Sequence, residues 1–409
     1  CGSCDRCGMK QECLEDQDGE NYFLYYLLRS FEKKGALEYP DMPREFLDRC
    51  RKKTDYLQEL NRSLGRSTMN LAWKNRFLAV MLQFEEMAGI LGEFSGQMEQ
   101  AADVTEALVP AVRAAFRKRR IALEDMLVLK YGDGRREAFL TARTGNGRCV
   151  TVKDMAALFG QAVGAEFIPA RNGKTLVTRK SSMVRLIEKG SYRILFGCAK
   201  TPKEGEEVSG DNYMFRNTLP GQVALSLSDG MGSGPAAGAD SEQVMELAEQ
   251  LLDTGFSARS TLKLINTVLL LNGMGDRPAT MDLGLVNLYT GVLEMMKLGA
   301  AASFLLPDRR GGGEAEILES ETVPAGVLNP VEPVMISRKL WDGDKIIMVS
   351  DGVLEAMPGV EKERAFREFL DGLPDAGAQE TAELILTFAL SFEGEPRDDM
   401  TVLVGGIYG

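Results

Sequence analysis

The stretch Val223-Ala224-Leu225-Ser226-Leu227-Ser228-Asp229-Gly230-Met231-Gly232-Ser233-Gly234 decides how the rest of the chain is read. Its first five residues are an apolar run of strand formers, and a carboxylate and a glycine follow at the strand exit. A buried strand fixes the direction of such an Asp, and Gly lets the backbone bend so that a carbonyl can also face a hard cation. The same grammar recurs where Ile346-Ile347-Met348-Val349 runs into Ser350-Asp351-Gly352. Ser209-Gly210-Asp211-Asn212 and Arg397-Asp398-Asp399-Met400-Thr401 place further carboxylates at turns. One Asp-Gly is a turn; the repeated pattern reads as a two-metal site.

The 409 residues include no histidine. That removes Ser-His-Asp and Cys-His nucleophiles, His-ligated zinc catalysis and any imidazole base. Oxygen-only sites suit magnesium or manganese. Lys and Arg total 48 against 60 Asp and Glu, a net charge of −12, which argues against a nucleic-acid surface. The basic run Arg117-Lys118-Arg119-Arg120 fits a solvated helix end. No run of apolar residues is long enough for a membrane span. The chain starts at Cys1 rather than Met, which reads as a fragment or processed product.

Three regions emerge. Residues 1–56 hold a cysteine cluster and a helix from Asn21 to Lys34 ended by Gly35. Cys4-x2-Cys7 has the spacing of a zinc knuckle that Cys13 and Cys50 could complete; free thiols or disulfides are the alternatives, and with no signal sequence in view reduced cysteines are favoured. Residues 57–186 form a regulatory region. It opens on a long helix, Leu57 to Gln100, in which Phe77, Phe84, Leu91 and Met98 recur every seven residues, with Val80, Met87 and Phe94 three further on. This is a dimer seam or one buried helix face. A small mixed unit follows, with a helix from Asp103 to Arg117, a strand from Leu123 to Lys130 and a helix from Thr151 to Val163.

Residues 187–409 are expected to be catalytic. Strands are expected at Tyr192–Lys200, Gln222–Ser228, Asp282–Leu288, Val292–Lys297, Ser303–Leu306, Lys345–Ser350 and Thr401–Ile407. Helices are expected at Pro235–Asp253, from Ser257 as N-cap to Leu271, and at Ala378–Ser391. Hairpin-like strands with paired helices inserted predict an α+β fold, an antiparallel β-sandwich covered by helices (α-β-β-α).

In this reading Asp229 bridges two ions, Asp351 and Asp398 close the first, the Gly230 carbonyl faces the second, and Asp211 orients water from the outer shell. Asp399 is a possible further carboxylate for the second ion. Two such ions can activate a water for in-line attack on phosphorus without a protein base. Gly230-x-Gly232-x-Gly234 lacks the Gly-Lys-Ser/Thr ending of a nucleotide loop. Asp342-Gly343-Asp344 precedes its strand and reads as a turn, not a phospho-aspartate site.

These motifs, together with Ala279-Thr280-Met281-Asp282 and Leu288-Tyr289-Thr290-Gly291, resemble the metal-dependent type 2C serine/threonine phosphatases, and most closely their bacterial sporulation branch. Cys4-x2-Cys7-x5-Cys13 and Phe46-Leu47-Asp48-Arg49-Cys50 are similar as well. The resemblance implies two manganese or magnesium ions held by Asp229, Gly230, Asp351 and Asp398, with Asp211 in support. It implies a phosphoserine substrate, the anti-sigma factor antagonist that controls the first forespore sigma factor. It also implies a tubulin-like division-ring protein as partner, and a membrane segment before Cys1 that would hold the chain at the cytoplasmic face. The phosphate-gripping Arg of the eukaryotic enzymes has no counterpart, and Ala239-Asp240-Ser241 carries Asp where the family leads one to expect Glu. The competing expectations are an inactive docking scaffold and a stand-alone stress-response phosphatase of the same chemistry. The heptad seam suggests control by dimerisation or rotation of the long helix, passed to the helices between Pro235 and Leu271.

Overall fold

The computed structural model describes residues 27, 30, 31, 34–42, 44–145, 149–170, 173–230, 232–271, 278–309, 312–320, 322–327, 331–393 and 395–409, with some helical positions in 45–98 described by backbone alone. The chain divides into two compact units, Cys1–Met81 and Leu82–Gly409. In the first, Leu27, Phe31, Leu37 and Met42 form a small core. Gly35 ends its helix with φ 75° while its N–H reaches the Phe31 carbonyl at 2.8 Å. Helix α1 (Arg44–Arg49) and helix α2 (Lys53–Gln100) follow, and α2 contains the boundary between the units. On α2, Phe77, Val80, Met81, Phe84, Met87 and Leu91 are exposed. The side chains of Phe94 and Met98 lie outside the described residues, as do Cys4, Cys7 and Cys13; Cys50 is half-buried.

The second unit begins with a five-stranded antiparallel sheet built from β1 (Ala102–Asp103), β2 (Ile121–Lys130), β3 (Arg136–Thr144), β5 (Phe167–Pro169) and β7 (Ser182–Glu188), in the order β1-β2-β3-β7-β5. Helices α3 (Thr105–Lys118) and α4 (Val152–Val163) cover it, burying Val112, Phe116, Met155 and Phe159. Thr151 caps α4 by accepting the Asp154 N–H at 3.0 Å. β4 (Val150–Thr151) and β6 (Leu176–Val177) make a two-stranded side ribbon.

The remainder is a sandwich of two five-stranded antiparallel sheets. The first contains β9 (Asp211–Asn217), β10 (Gln222–Asp229), β11 (Met281–Asn287), β12 (Val292–Leu298) and β15 (Val334–Lys339), in the order β15-β12-β11-β10-β9. The second contains β8 (Arg193–Thr201), β13 (Ser303–Leu306), β14 (Glu316–Leu318), β16 (Lys345–Val349) and β17 (Met400–Tyr408), in the order β14-β13-β16-β17-β8. Leu225, Leu227, Leu293, Met348 and Leu403 fill the space between the sheets. Helices α5 (Pro235–Asp253) and α6 (Ala258–Leu271) cover the first sheet, packing Ala248, Leu252 and Leu262 on Ala224, Leu283 and Leu285. Helices α7 (Asp351–Glu355), α8 (Lys362–Gly372) and α9 (Ala378–Glu393) cover the second, packing Phe366, Leu370 and Ile385 on Phe304, Ile347 and Val402. This is the expected helix-covered antiparallel sandwich. Both faces of the inner strands are covered, so β10, β11 and β16 are buried along almost their whole length instead of alternating.

Strands β9, β14 and β15 and helices α7 and α8 escape the sequence reading. β9 and β15 are sheet edges of mixed sequence, β15 largely exposed and β9 of mixed burial, so they lack the apolar run that marks an inner strand.

Phe304 and Phe366 are both fully buried, with ring centroids 4.8 Å apart under α8. Truncating Phe366→Ala removes that contact and leaves a cavity, so guanidinium unfolding should show a loss of about 3–5 kcal/mol. A loss under about 1 kcal/mol would mean that α8 is not packed on the sheet as described.

Candidate metal centre

The centre forms at one rim of the sandwich, where chain reversals from both sheets meet. Asp211 opens β9 and Asp229 closes β10, and the two stand directly opposite each other in register. On the other sheet, β16 and β17 are neighbours with Val349 opposite Val402, so Asp351 (just after β16) and Asp398-Asp399 (just before β17) emerge side by side. Asp229 and Asp351 line one cleft together with Leu227, Thr280 and Ser350.

Local contacts hold each carboxylate in place. The Asp229 N–H donates to the Thr280 hydroxyl at 3.1 Å, and the Thr280 N–H donates to the Asp229 carbonyl at 3.0 Å. A side chain at Gly230 would strike the Ala237 carbonyl in the first turn of α5, and one at Gly352 would strike the Asp399 carbonyl. Glycine is therefore required at both positions for close approach of backbones. Asp399 is buried and accepts the Lys203 N–H at 2.9 Å and the Gly210 N–H at 2.7 Å, one on each oxygen. It ties down the loop that carries Asp211. Ser241 on α5 donates to the Gly210 carbonyl and accepts from Asn212 Nδ2 at 2.8 Å, bracing the same segment from the helix side.

The electrostatics are those of acids crowded together at a partly covered rim, with Asp211 fully buried, Asp229 and Asp398 half-buried and Asp351 exposed. Burial pushes the Asp229 carboxyl up to about 9, with the nearby charges of Asp211, Asp351 and Asp398 adding to the rise. Burial, then Asp398 and Glu355, raise Asp351. Asp211 is pushed up to about 6, first by burial, although the Thr401 and Ser350 hydroxyls and Lys200 partly offset this. The Lys200 ammonium itself donates to the Asp211 backbone carbonyl. Neither carboxylate oxygen of Asp211, which is fully buried, meets a partner at hydrogen-bond geometry. Unsatisfied buried carboxylate oxygens beside other carboxylates fit a divalent cation, since a hard cation supplies the missing partner and the opposite charge at once. Among the described residues no three ligating side chains already form a closed cage. The aspartates stand close enough to repel one another, as the rise at Asp229 shows.

Two pieces that sequence reasoning missed are Ser241 and the clamp made by Thr280. Thr280 lay inside a motif, but nothing local shows that its hydroxyl serves Asp229, 51 residues earlier.

Residues 220–407 match the family model described as Stage II sporulation protein E (SpoIIE). The chain is 24% identical over 410 residues to Stage II sporulation protein E of Bacillus subtilis (strain 168), an alignment covering 98% of this chain and 49% of that protein. The chain thus spans about half the length of that relative. A solved structure of the PP2C phosphatase domain and a fragment of the regulatory domain of SpoIIE from Bacillus subtilis superposes with a TM-score of 0.61 at 23% identity, covering 83% of this chain and 97% of that one. The catalytic domain of the serine/threonine protein phosphatase PstP, solved in complex with two manganese ions, is 18% identical with a TM-score of 0.43, over 53% of this chain and 100% of that one.

Raised carboxyl pKa values fix the sign of a pH effect on the metal-free protein. Below about pH 4, Asp229 is protonated both folded and unfolded, so it carries no penalty. As pH rises from there towards 9, the unfolded chain ionises the group freely while the fold resists, and stability falls. In excess chelator the thermal midpoint should therefore be lower at pH 8 than at pH 5.5. Asp229→Asn should raise the pH 8 midpoint by several degrees, on the order of 1–3 kcal/mol. A midpoint that Asp229→Asn lowers at pH 8 would contradict the crowding described.

Proposed function

We propose, for a chain whose residues 220–407 match the SpoIIE family model and whose sandwich has the type 2C phosphatase fold, that it is a metal-dependent serine/threonine protein phosphatase. Asp229, Asp351, Asp398 and the Gly230 carbonyl hold the ions and Asp211 supports them. The observation that carries this reading is the convergence of Asp211, Asp229, Asp351 and Asp398 from two sheets onto one rim, where the charges of Asp211, Asp351 and Asp398 all push the Asp229 carboxyl up. Donor chemistry favours Mn²⁺ or Mg²⁺, because every candidate ligand is a hard oxygen. When bound, two such ions neutralise phosphoryl charge and make a water nucleophilic near neutral pH.

The chain's own contribution is positioning. Thr280 fixes the Asp229 backbone, so its carboxylate is aimed before any ion arrives. Gly230 and Gly352 bring the first turn of α5 and the Asp398-Asp399 turn close against the site. Asp399 and Ser241 hold Gly210, so Asp211 faces Asp229 across the ladder. With no histidine available, no imidazole can serve as the base, and activation of the water would fall to the bound ions.

The sporulation setting is supported by the names of the relatives, and the finer parts of this proposal extend that support. The substrate is a phosphoserine on an anti-sigma factor antagonist, whose dephosphorylation releases the first forespore sigma factor. The region of residues 1–186 regulates turnover, works at the cytoplasmic face of the membrane and meets a tubulin-like division-ring protein. Homodimerisation through Leu57–Gln100 contributes to that control. The domain boundaries proposed are 1–56, 57–186 and 187–409.

With a phosphorylated antagonist as substrate and Mn²⁺ present, phosphate release should be abolished by chelator. Asp229→Ala should reduce kcat/KM on the order of 10²–10⁴-fold. Metal-independent release, or full activity in Asp229→Ala, would refute the reading. No release from any phosphoserine protein by the wild type would favour a docking role.

A further inference from the structure

Lys297 is wholly buried, an expensive place for an ammonium group unless it is paired. It sits on β12 opposite Asp282 of β11, and its ammonium donates to Asp282 Oδ2. Lys297 also donates to the Ser303 hydroxyl at 2.8 Å, and that hydroxyl donates to the same Asp282 oxygen. The three side chains make a closed triangle. Ser303 belongs to β13 of the second sheet, so the triangle joins the two sheets just inside the rim where the aspartates meet.

Both donors fall on one oxygen. Asp282 Oδ1, on a residue only 2% exposed, is buried and has no hydrogen-bond partner. Asp282 also lines the cleft shared by Asp229, Thr280 and Asp351. It stands two residues after Thr280, whose hydroxyl receives the Asp229 N–H, so one stretch of backbone orients both acids. A purely structural ion pair would tend to use both carboxylate oxygens, because a buried oxygen left unmatched lowers stability. The ammonium balances the charge of Asp282, so the free oxygen adds an acceptor to the cleft without adding net repulsion to Asp229.

We propose that Asp282, locked by Lys297 and Ser303, is a positioning residue of the metal centre, and that its free oxygen accepts a hydrogen bond from water on the cation side of the cleft. The inference rests on the metal-dependent reading above and adds a carboxylate that reading does not use. Lys297 and Ser303 both hold Asp282 Oδ2, which fixes the carboxylate's rotamer and leaves Oδ1 as the free oxygen.

The test is calorimetric titration of Mn²⁺ into the 409-residue chain. Asp282→Asn turns the free acceptor into a site that cannot supply a carboxylate oxygen, and should weaken Mn²⁺ binding about 10–100-fold, the usual effect of losing an outer partner of a metal ligand. Because Asp282→Asn leaves Lys297 unbalanced, the charge-neutral double variant Asp282→Leu/Lys297→Met serves as the second probe. It should fold, by circular dichroism, and show the same weakening. Ser303→Ala should weaken binding a few-fold. Wild-type affinity in the folded double variant, with only the thermal midpoint shifted, would make the triangle a structural pair and overturn the proposal. If the wild type binds Mn²⁺ and Asp229→Asn abolishes it while the double variant binds normally, this inference fails and the metal-dependent reading stands. A wild-type chain that takes up no Mn²⁺ overturns both.

Discussion

Mutual repulsion among crowded, partly buried carboxylates is the constraint on which the rest of the sandwich depends. Asp211, Asp229, Asp351 and Asp398 come from four separated points in the chain, and the covalent order alone would let them spread apart. Two sheets with fixed registers hold them together: the β9–β10 ladder sets Asp211 against Asp229, and the β16–β17 ladder sets Asp351 beside Asp398. Like charges gathered in a low dielectric lower stability unless protons or cations neutralise them. The apolar layers of the sandwich supply the stability that lets such a cluster persist, as functional sites commonly require.

The same constraint explains the polar details around the rim. Each aspartate needs its backbone held, because a mobile acid would swing out to water and relieve the repulsion. Thr280 holds Asp229 and Asp399 holds the loop before Asp211, while Ser241 ties that loop to α5. Glycine at 230 and 352 lets the neighbouring backbones come close enough to enclose the site. The Lys297–Asp282–Ser303 triangle extends the pattern inward and fastens one sheet to the other beneath the carboxylates.

How much of this was legible beforehand follows from where each signal is stored. The inner strands β10, β13 and β16 are short apolar runs with turn residues at their ends, so sequence places them within a residue or so. Helix α5 starts at Pro235 as read, since proline suits a first helical turn. Ser257 does accept the Ser260 N–H as an N-cap for α6. Edge strands β9 and β15 stayed hidden because their mixed polar and apolar residues carry no periodic apolar signal. The division of labour between Asp398 and Asp399 was equally hidden. In sequence they are neighbouring acids of the same kind; in the fold Asp399 turns inward to backbone N–H groups 196 and 189 residues away, while Asp398 adds its charge to that at Asp229 and Asp351. Only tertiary structure could separate them. The burial of Lys297 belongs to the same class, since a lysine in a strand reads as a surface residue until both of its faces are covered.

Crystals of the chain grown with Mn²⁺ and measured at the manganese absorption edge test the central claim most directly. The account expects anomalous peaks at the rim, with a carboxylate oxygen of Asp229 within about 2.0–2.3 Å of manganese and Asp351 and Asp398 drawn in beside it. Crystals with no peak there, or with peaks only at other surface acids, would contradict it.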